Sequence, residues 1–226
     1  MLLLQISEGA QAAAGATGEK LTWVGIFLKG GVILIPIVIL FFLTIFYIVD
    51  RFLAIRRATK IDQSKIAAVR DSLLKGNIDM AQTVCKTDDG IVMKVLGAGI
   101  QRLGAPLEEI DGGMSSFANI LVGRLTGRIN YLGIISGVAP MLGFIGTILG
   151  VIRIFYNISL TDNISIGIIA GGLYEKMISS CAGLVVGVIA YGGMHFLNAM
   201  IDKFTVSVEA ESYEFLNLLQ QPANEA

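Results

Sequence analysis

Three stretches of this chain are apolar and long enough to cross a lipid bilayer as helices, and the rest of the sequence has to be arranged around them. A spanning helix needs about 20 predominantly apolar residues, because hydrocarbon offers no partner to an unsatisfied backbone group. Residues 25–49 (GIFLKGGVILIPIVILFFLTIFYIV) are the strongest candidate, residues 131–156 the second and residues 164–197 the third, interrupted only by Glu175 and Lys176. At ~1.5 Å per residue the third helix is about 50 Å long against a ~30 Å hydrocarbon slab, so it must protrude. Composition agrees. Of the 226 residues 54% are apolar and 15% charged, whereas soluble domains carry about 25% charged residues. This balance excludes a disordered chain, a nucleic-acid-binding module and an ordinary soluble enzyme. Seventeen Lys and Arg nearly cancel eighteen Asp and Glu, so net charge gives no pull toward nucleic acid.

Where the charges lie sets the orientation, since short loops rich in Lys and Arg stay in the cytoplasm. Arg51, Arg56, Arg57, Lys60, Lys65 and Arg70 follow the first span, and Arg124 and Arg128 precede the second. Residues 50–130 are therefore expected to form a cytoplasmic helical domain. The N-terminus and the short loop 157–163 are expected outside, and the C-terminal helix and tail, 198–226, inside. In a bacterial inner membrane that outside is the periplasm. Residues 1–24 contain AQAAAGA, which superficially resembles a cleavage site, but they lack a basic leading region and have a very short apolar run, so they read as an external arm.

The segment between the first two spans reads as helices. Asp62 is placed to cap a helix whose Ile66, Val69 and Leu73 share a face, stopped by Gly76. A second runs from Asp79 to Lys86, with Asp88, Asp89 and Gly90 as its turn, and a third covers residues 91–103, ended by Gly104. Pro106 opens a long helix through Leu125 that is expected to continue into the second span. In the tail, Ile201, Phe204, Val208, Phe215 and Leu219 fall on one helical stripe. The expected fold class is an all-α membrane protein with three transmembrane helices, spans two and three extending into a cytoplasmic helical bundle.

No phosphate-cradling glycine loop, metal-ligand cluster or catalytic constellation is present in the sequence, so no cofactor, metal or enzymatic activity is expected. Cys85 and Cys181 are too few and too differently placed for a disulfide framework or a metal site, and both are expected to be inert. Glycine patterns are more informative. Gly133 and Gly137, Gly146 and Gly150, Gly167 and Gly171, and Gly183 and Gly187 each sit one helical turn apart in spans two and three, which lets helix backbones approach closely. Packing within one subunit accounts for about half of these pairs, leaving surfaces for neighbouring copies. On the second span Ser136, Pro140, Gly143, Thr147 and Gly150 form one small and polar stripe. On the third, Gly187, Tyr191 and Asn198 lie within ~20° of Ser180 at 100° per residue. Such stripes suit a pore lining; equally, a Ser or Thr hydroxyl in a membrane helix can bond its own i−4 carbonyl.

The groups near the spans that carry charge or can titrate are Lys29, Arg153, Glu175, Lys176 and His195. Lys29 and Arg153 can snorkel from span ends, and His195 sits where an interfacial hydrogen bond is the expected role. Glu175 differs, because a carboxylate well inside a long apolar helix is costly and marks a candidate functional site, its neighbour Lys176 being the structural explanation. The spans offer no obvious acid at the midplane; if ions cross, a partner is expected to supply the titrating carboxylate.

The run from Ala139 to Gly150, APMLGFIGTILG, resembles the second-span signature of the MotA/TolQ/ExbB proton-channel family, in which an AP-x-LGL-x-GTV-x-G pattern holds a pore-facing threonine. Glu175, a hydroxyl five residues later at Ser180, and Gly183-Leu184 resemble that family's third-span signature. The three-span layout looks like the ExbB and TolQ branch. Three departures stand out: Ser180 replaces the usual threonine, Lys176 replaces a small apolar residue, and the proline expected late in the third span is absent.

The resemblance implies a homo-pentamer around a dimer of an ExbD-like single-span subunit whose helix carries an aspartate. Proton flow would then be converted into work on a TonB-like protein for import across the outer membrane. It places Thr147, Ser180 and Glu175 on the proton pathway; Tyr191 and Asn198, by their helical angle, continue the Ser180 face toward the cytoplasm as an expected proton exit. Pro140, Gly143, Gly146, Gly150, Gly183 and Gly187 take the helix-packing and oligomer contacts. A TolQ-type subunit, a gliding or secretion motor subunit, and a non-conducting membrane scaffold remain as alternatives.

Overall fold

The computed structural model describes residues 32–161 and 166–220, with the backbone alone at residues 161, 168 and 175. Among these, the chain forms seven helices and no strand: α1 (Leu34–Ala58), α2 (Gln63–Leu74), α3 (Ile78–Thr87), α4 (Ile91–Ile100), α5 (Leu107–Thr126), α6 (Asn130–Thr161) and α7 (Ile166–Gln220). Three helical stretches, containing α1, α6 and α7, are long and apolar enough to cross a membrane. The fold is therefore all-α with three candidate spans, as the hydropathy predicts. The expected arm, residues 25–31 of the first span, and residues 162–165 and 221–226 lie outside the described residues.

Three boundaries differ from the sequence expectation. Helix α1 runs past Val49 to Ala58, because Ile55 on its last turns is buried among Ile129, Leu132, Leu197 and Ile201. Helix α4 stops at Ile100; Arg102 N–H and Leu103 N–H then bond the carbonyls three residues back, at 3.0 and 3.2 Å, and Gly104 takes a φ of 101°. The expected continuous helix from Pro106 into the second span is interrupted at residues 127–129. There Ile129 N–H bonds the Thr126 carbonyl and Leu132 N–H the Ile129 carbonyl, both at 2.9 Å, a tightened i→i−3 pattern. Gly123 and Gly127, poor helix formers, weaken the chain at that point. In the other direction, α7 passes without a break from the third apolar stretch into the tail.

The chain divides into two compact units. One contains residues 44–134 and 190–220 and is a helical bundle. Its core gathers Ile66 and Val69 of α2, Ala81 and Cys85 of α3, Val95, Leu96 and Ile100 of α4, Ile110 and Met114 of α5, and Phe204, Val208 and Phe215 of α7. Caps set the short helices: Asp62 accepts from the Ser64 backbone N–H at 3.1 Å, and Asn77 accepts from the Met80 N–H at 3.2 Å. Gly76, at φ 72°, turns α2 into α3 in the left-handed region that a side chain disfavours. Gly99 is demanded by packing, since a Cβ there would meet Met114 Sδ at 2.5 Å and Phe215 Cε1 at 2.8 Å. Lys65 donates to Asp88 at 2.5 Å, and Asp88 also accepts from the Gly90 N–H at 2.7 Å, which fixes the α3–α4 turn against the start of α2.

The other unit comprises the first half of α1 up to Leu43 and residues Ile135–Ile189 of α6 and α7. Its outward surface is apolar: Ile35, Ile39, Phe42, Phe144, Ile148, Ile152, Leu184 and Val188 are all exposed. Its inward surface combines small residues of α6 and α7 with Leu34, Ile37, Ile135 and Val186.

Candidate functional site

In the second unit, the buried positions of α6 and α7 are mostly small residues, Ala139, Gly143, Gly146, Gly150, Ser179, Gly183 and Gly187, joined by Ile135 and Val186. Their spacing of three and four is that of one helical face. A Cβ at Gly183 would lie 2.5 Å from the Ala139 carbonyl oxygen and 3.1 Å from Gly143 Cα, and one at Gly143 would lie 3.0 Å from Ser180 Cα. The helices therefore meet backbone to backbone, the geometry that small residues one turn apart permit. Pro140 supplies no N–H to the Ser136 carbonyl, and Gly187 packs onto both: its Cβ would stand 2.5 Å from Pro140 Cγ and 3.1 Å from that carbonyl oxygen.

Two hydroxyls sit at the end of this contact. The Thr147 hydroxyl lies 3.3 Å from the Gly143 carbonyl on its own helix and 3.3 Å from the Lys176 carbonyl on α7. Ser179, fully buried, donates to the same Lys176 carbonyl at 2.9 Å. That carbonyl thus accepts from hydroxyls of both helices. Both readings of Thr147 apply: it makes the i−4 bond of a membrane threonine, and it also joins α6 to α7. Its proton is committed to carbonyls, so what it offers to another group is an oxygen lone pair.

The sequence-derived residues are distributed as follows. Thr147 and Ser180 are half-buried at the α6/α7 contact, with Pro140, Gly143, Gly146, Gly150, Gly183 and Gly187 beside them. A Cβ on Gly150 would overlap the aliphatic stem of Lys176, so this glycine gives the lysine a groove along which to lie. Glu175 is in α7, and its side chain lies outside the described residues. Tyr191 and Asn198 belong to the bundle unit, Tyr191 exposed and in an edge contact with His195 at 4.3 Å between ring centroids. Of the four glycine pairs, Gly146/Gly150 and Gly183/Gly187 are consumed within the subunit, whereas a Cβ at Gly137 or Gly171 would meet open space.

Ser179 is the residue that sequence reasoning passed over. Its signal was available: Ser179, Gly183 and Gly187 recur every four residues, the same small-residue series that marks a close helix contact. Among the described residues no group of three His, Cys, Asp or Glu is placed to hold a metal ion.

Long apolar helices around a backbone-to-backbone contact define a multi-pass membrane protein. The chain belongs to the MotA/TolQ/ExbB proton channel family, whose model matches residues 87–210. Over 91 residues, 40% of this chain and 40% of the relative, it is 31% identical to the biopolymer transport protein exbB1 of Vibrio cholerae. Over 70 residues, 30% of this chain and 29% of the relative, it is 34% identical to the biopolymer transport protein ExbB of Salmonella typhimurium. The ExbB protein of Neisseria gonorrhoeae is 31% identical over 91 residues, 40% of this chain and 41% of the relative. The aligned stretches thus cover well under half of these curated relatives. The α6/α7 contact falls inside the family match.

Proposed function

We propose that this chain is the ExbB-like subunit of an inner-membrane proton channel that converts the proton gradient into work on a TonB-type partner for outer-membrane import. In this reading five copies surround a dimer of an ExbD-like single-span subunit carrying a transmembrane aspartate. Residues 50–130 and 198–220 of the bundle lie in the cytoplasm, with the N-terminus on the periplasmic side. The observation that carries the reading is the hydroxyl pair of Thr147 and Ser179 on the Lys176 carbonyl, within the segment that matches a proton channel family.

An ionised carboxylate in hydrocarbon is prohibitive unless polar groups or water solvate it. A partner aspartate therefore crosses at least cost in its protonated form, donating to an oxygen such as that of Thr147, whose own proton is already held by carbonyls. Ser180, beside it on α7, supplies a hydroxyl free to orient either way in this scheme. Glu175 guides protons at the outer end or pairs across a subunit contact, and Tyr191 and Asn198 lead toward the cytoplasm.

The test is proton flux through the complex purified from its host membrane and reconstituted in liposomes, alongside gradient-dependent uptake in cells. Flux and energised uptake that are lost in Glu175→Gln, with assembly intact, support the reading. A fully assembled wild-type complex that passes no protons would make the chain a scaffold.

A further inference from the structure

Beyond Ser180, helix α7 carries Tyr191, His195, Asn198, Asp202 and Glu209 at intervals of three, four and seven. At 100° per residue these five side chains lie within about 60° of arc. The buried ridge of the same helix, Ala190, Leu197, Ile201, Phe204 and Val208, is centred about 120° away. The polar face is consequently turned away from the subunit's own core: Tyr191, His195, Asp202 and Glu209 are exposed and Asn198 is half-buried. Such a face does not suit lipid, since titratable groups at membrane depth turn toward protein or water.

His195 stands in the middle of it. It is the only histidine in the chain, and its ring meets Tyr191 edge-on, centroids 4.3 Å apart at 65°. The elements packed against this stretch of α7 bring apolar groups: Phe52 stacks on Phe196, Ile48 lies against Gly193, and Gly133 of α6 faces Met194. The titratable neighbours of His195 on the face are thus Tyr191 toward the third apolar stretch and Asp202, then Glu209, toward the tail. Neither carboxylate is in an ion pair among the described residues.

We propose that His195 is a proton-relay group at the inner exit of the conduction path. This rests on the proton-channel reading above and adds a group that titrates to a path otherwise lined by hydroxyls and amides. Imidazole has one nitrogen that accepts while the other donates. A proton delivered through water along the Tyr191 side binds the free ring nitrogen and makes imidazolium; the opposite N–H then releases its proton to water held near Asp202. A ring flip or tautomer exchange restores the neutral ring, with no net change in atoms or charge. Tyr191 positions the imidazole, and Asp202 with Glu209 draws the proton outward.

The experiment uses the complex purified from its host membrane, in liposomes under an imposed pH gradient, with wild type, His195→Gln and His195→Ala compared at equal oligomer content. Flux in His195→Gln should fall about tenfold, less than the 10² to 10⁴ typical of losing a positioned acid–base group, because water partly substitutes. Added imidazole should restore a substantial part of the flux in His195→Ala and leave wild type unchanged. Wild-type flux with unaltered His195→Gln flux, or a deficit that imidazole does not relieve, overturns the relay. Absence of flux in the wild-type complex overturns the channel reading instead, so the two failures are distinct.

Discussion

The hydroxyl of Thr147 reaches the carbonyl of Lys176 at 3.3 Å, joining two helices that approach backbone to backbone at Gly143 and Gly183. Because Ser179 donates to the same oxygen, loss of the threonine hydroxyl leaves that carbonyl satisfied. Thr147→Val keeps the shape and should cost only about 1 kcal/mol in stability, while coupled transport is abolished in an assembled complex. Ser180→Ala should be milder, since water can take the hydroxyl's place, and Ser180→Thr should be tolerated. Gradient-dependent uptake measured with complex abundance on the same cells checks this; near-normal uptake in a Thr147→Val, Ser180→Ala double variant sinks it.

Glycines at and away from the contact should behave differently. Gly183→Ala pushes a methyl against the Ala139 carbonyl and should cost about 1 to 3 kcal/mol by overpacking, lowering the melting temperature of the subunit itself. Gly137→Ala places its methyl in open space and should leave that temperature unchanged. Native mass spectrometry and thermal melts in mild detergent separate the two effects. Equal destabilisation by both would mean that the α6/α7 contact is not what holds the hairpin.

In the bundle, the Lys65 ammonium beside Asp88, with the Gly90 N–H, holds the Asp88 carboxyl below its ordinary value of 3.8. A carboxyl lowered in the folded state contributes stability above its unfolded pKa and loses it as pH falls through the folded one. Asp88→Asn should therefore be less stable than wild type at pH 7, and the difference should shrink as pH drops below about 4. Denaturant melts across that range test the sign; a difference that grows on acidification contradicts it.

Burial pushes the Cys85 thiol up to about 11, and the residue is 4% exposed. Thiolate is the reactive form, so Cys85 should resist a maleimide at pH 8 in the folded protein and label fully once denatured. Mass spectrometry of the quenched samples reads the outcome. Prompt native labelling would show that α3 and α4 open readily.

Much of this architecture is legible in the sequence because it depends on period and on single residues with strong preferences. The buried stripe Ile201, Phe204, Val208 and Phe215, the Asp62 cap and the left-handed Gly76 are local statements that tertiary packing does not override. The break at residues 127–129 and the early end of α4 were less legible. Each turns on whether a glycine-weakened turn keeps i→i−4 bonds, a balance of a few tenths of a kcal/mol that neighbouring helices decide. At the site, adjacent serines gave conflicting signals. The interval from Glu175 favours Ser180, while the four-residue series to Gly183 and Gly187 favours Ser179, and only the helix crossing shows which one is fully buried.

The α6/α7 contact has a consequence for biogenesis. Every residue that closes it belongs to one chain, so closure is a unimolecular step whose yield does not depend on how many copies the membrane holds. In the proposed pentamer, association of copies is a second, concentration-dependent step that follows closure of each hairpin. Dilution in lipid should therefore dissociate an oligomer into folded subunits rather than unfolded ones, and the supply of this protein can vary without exposing its most tightly matched surface.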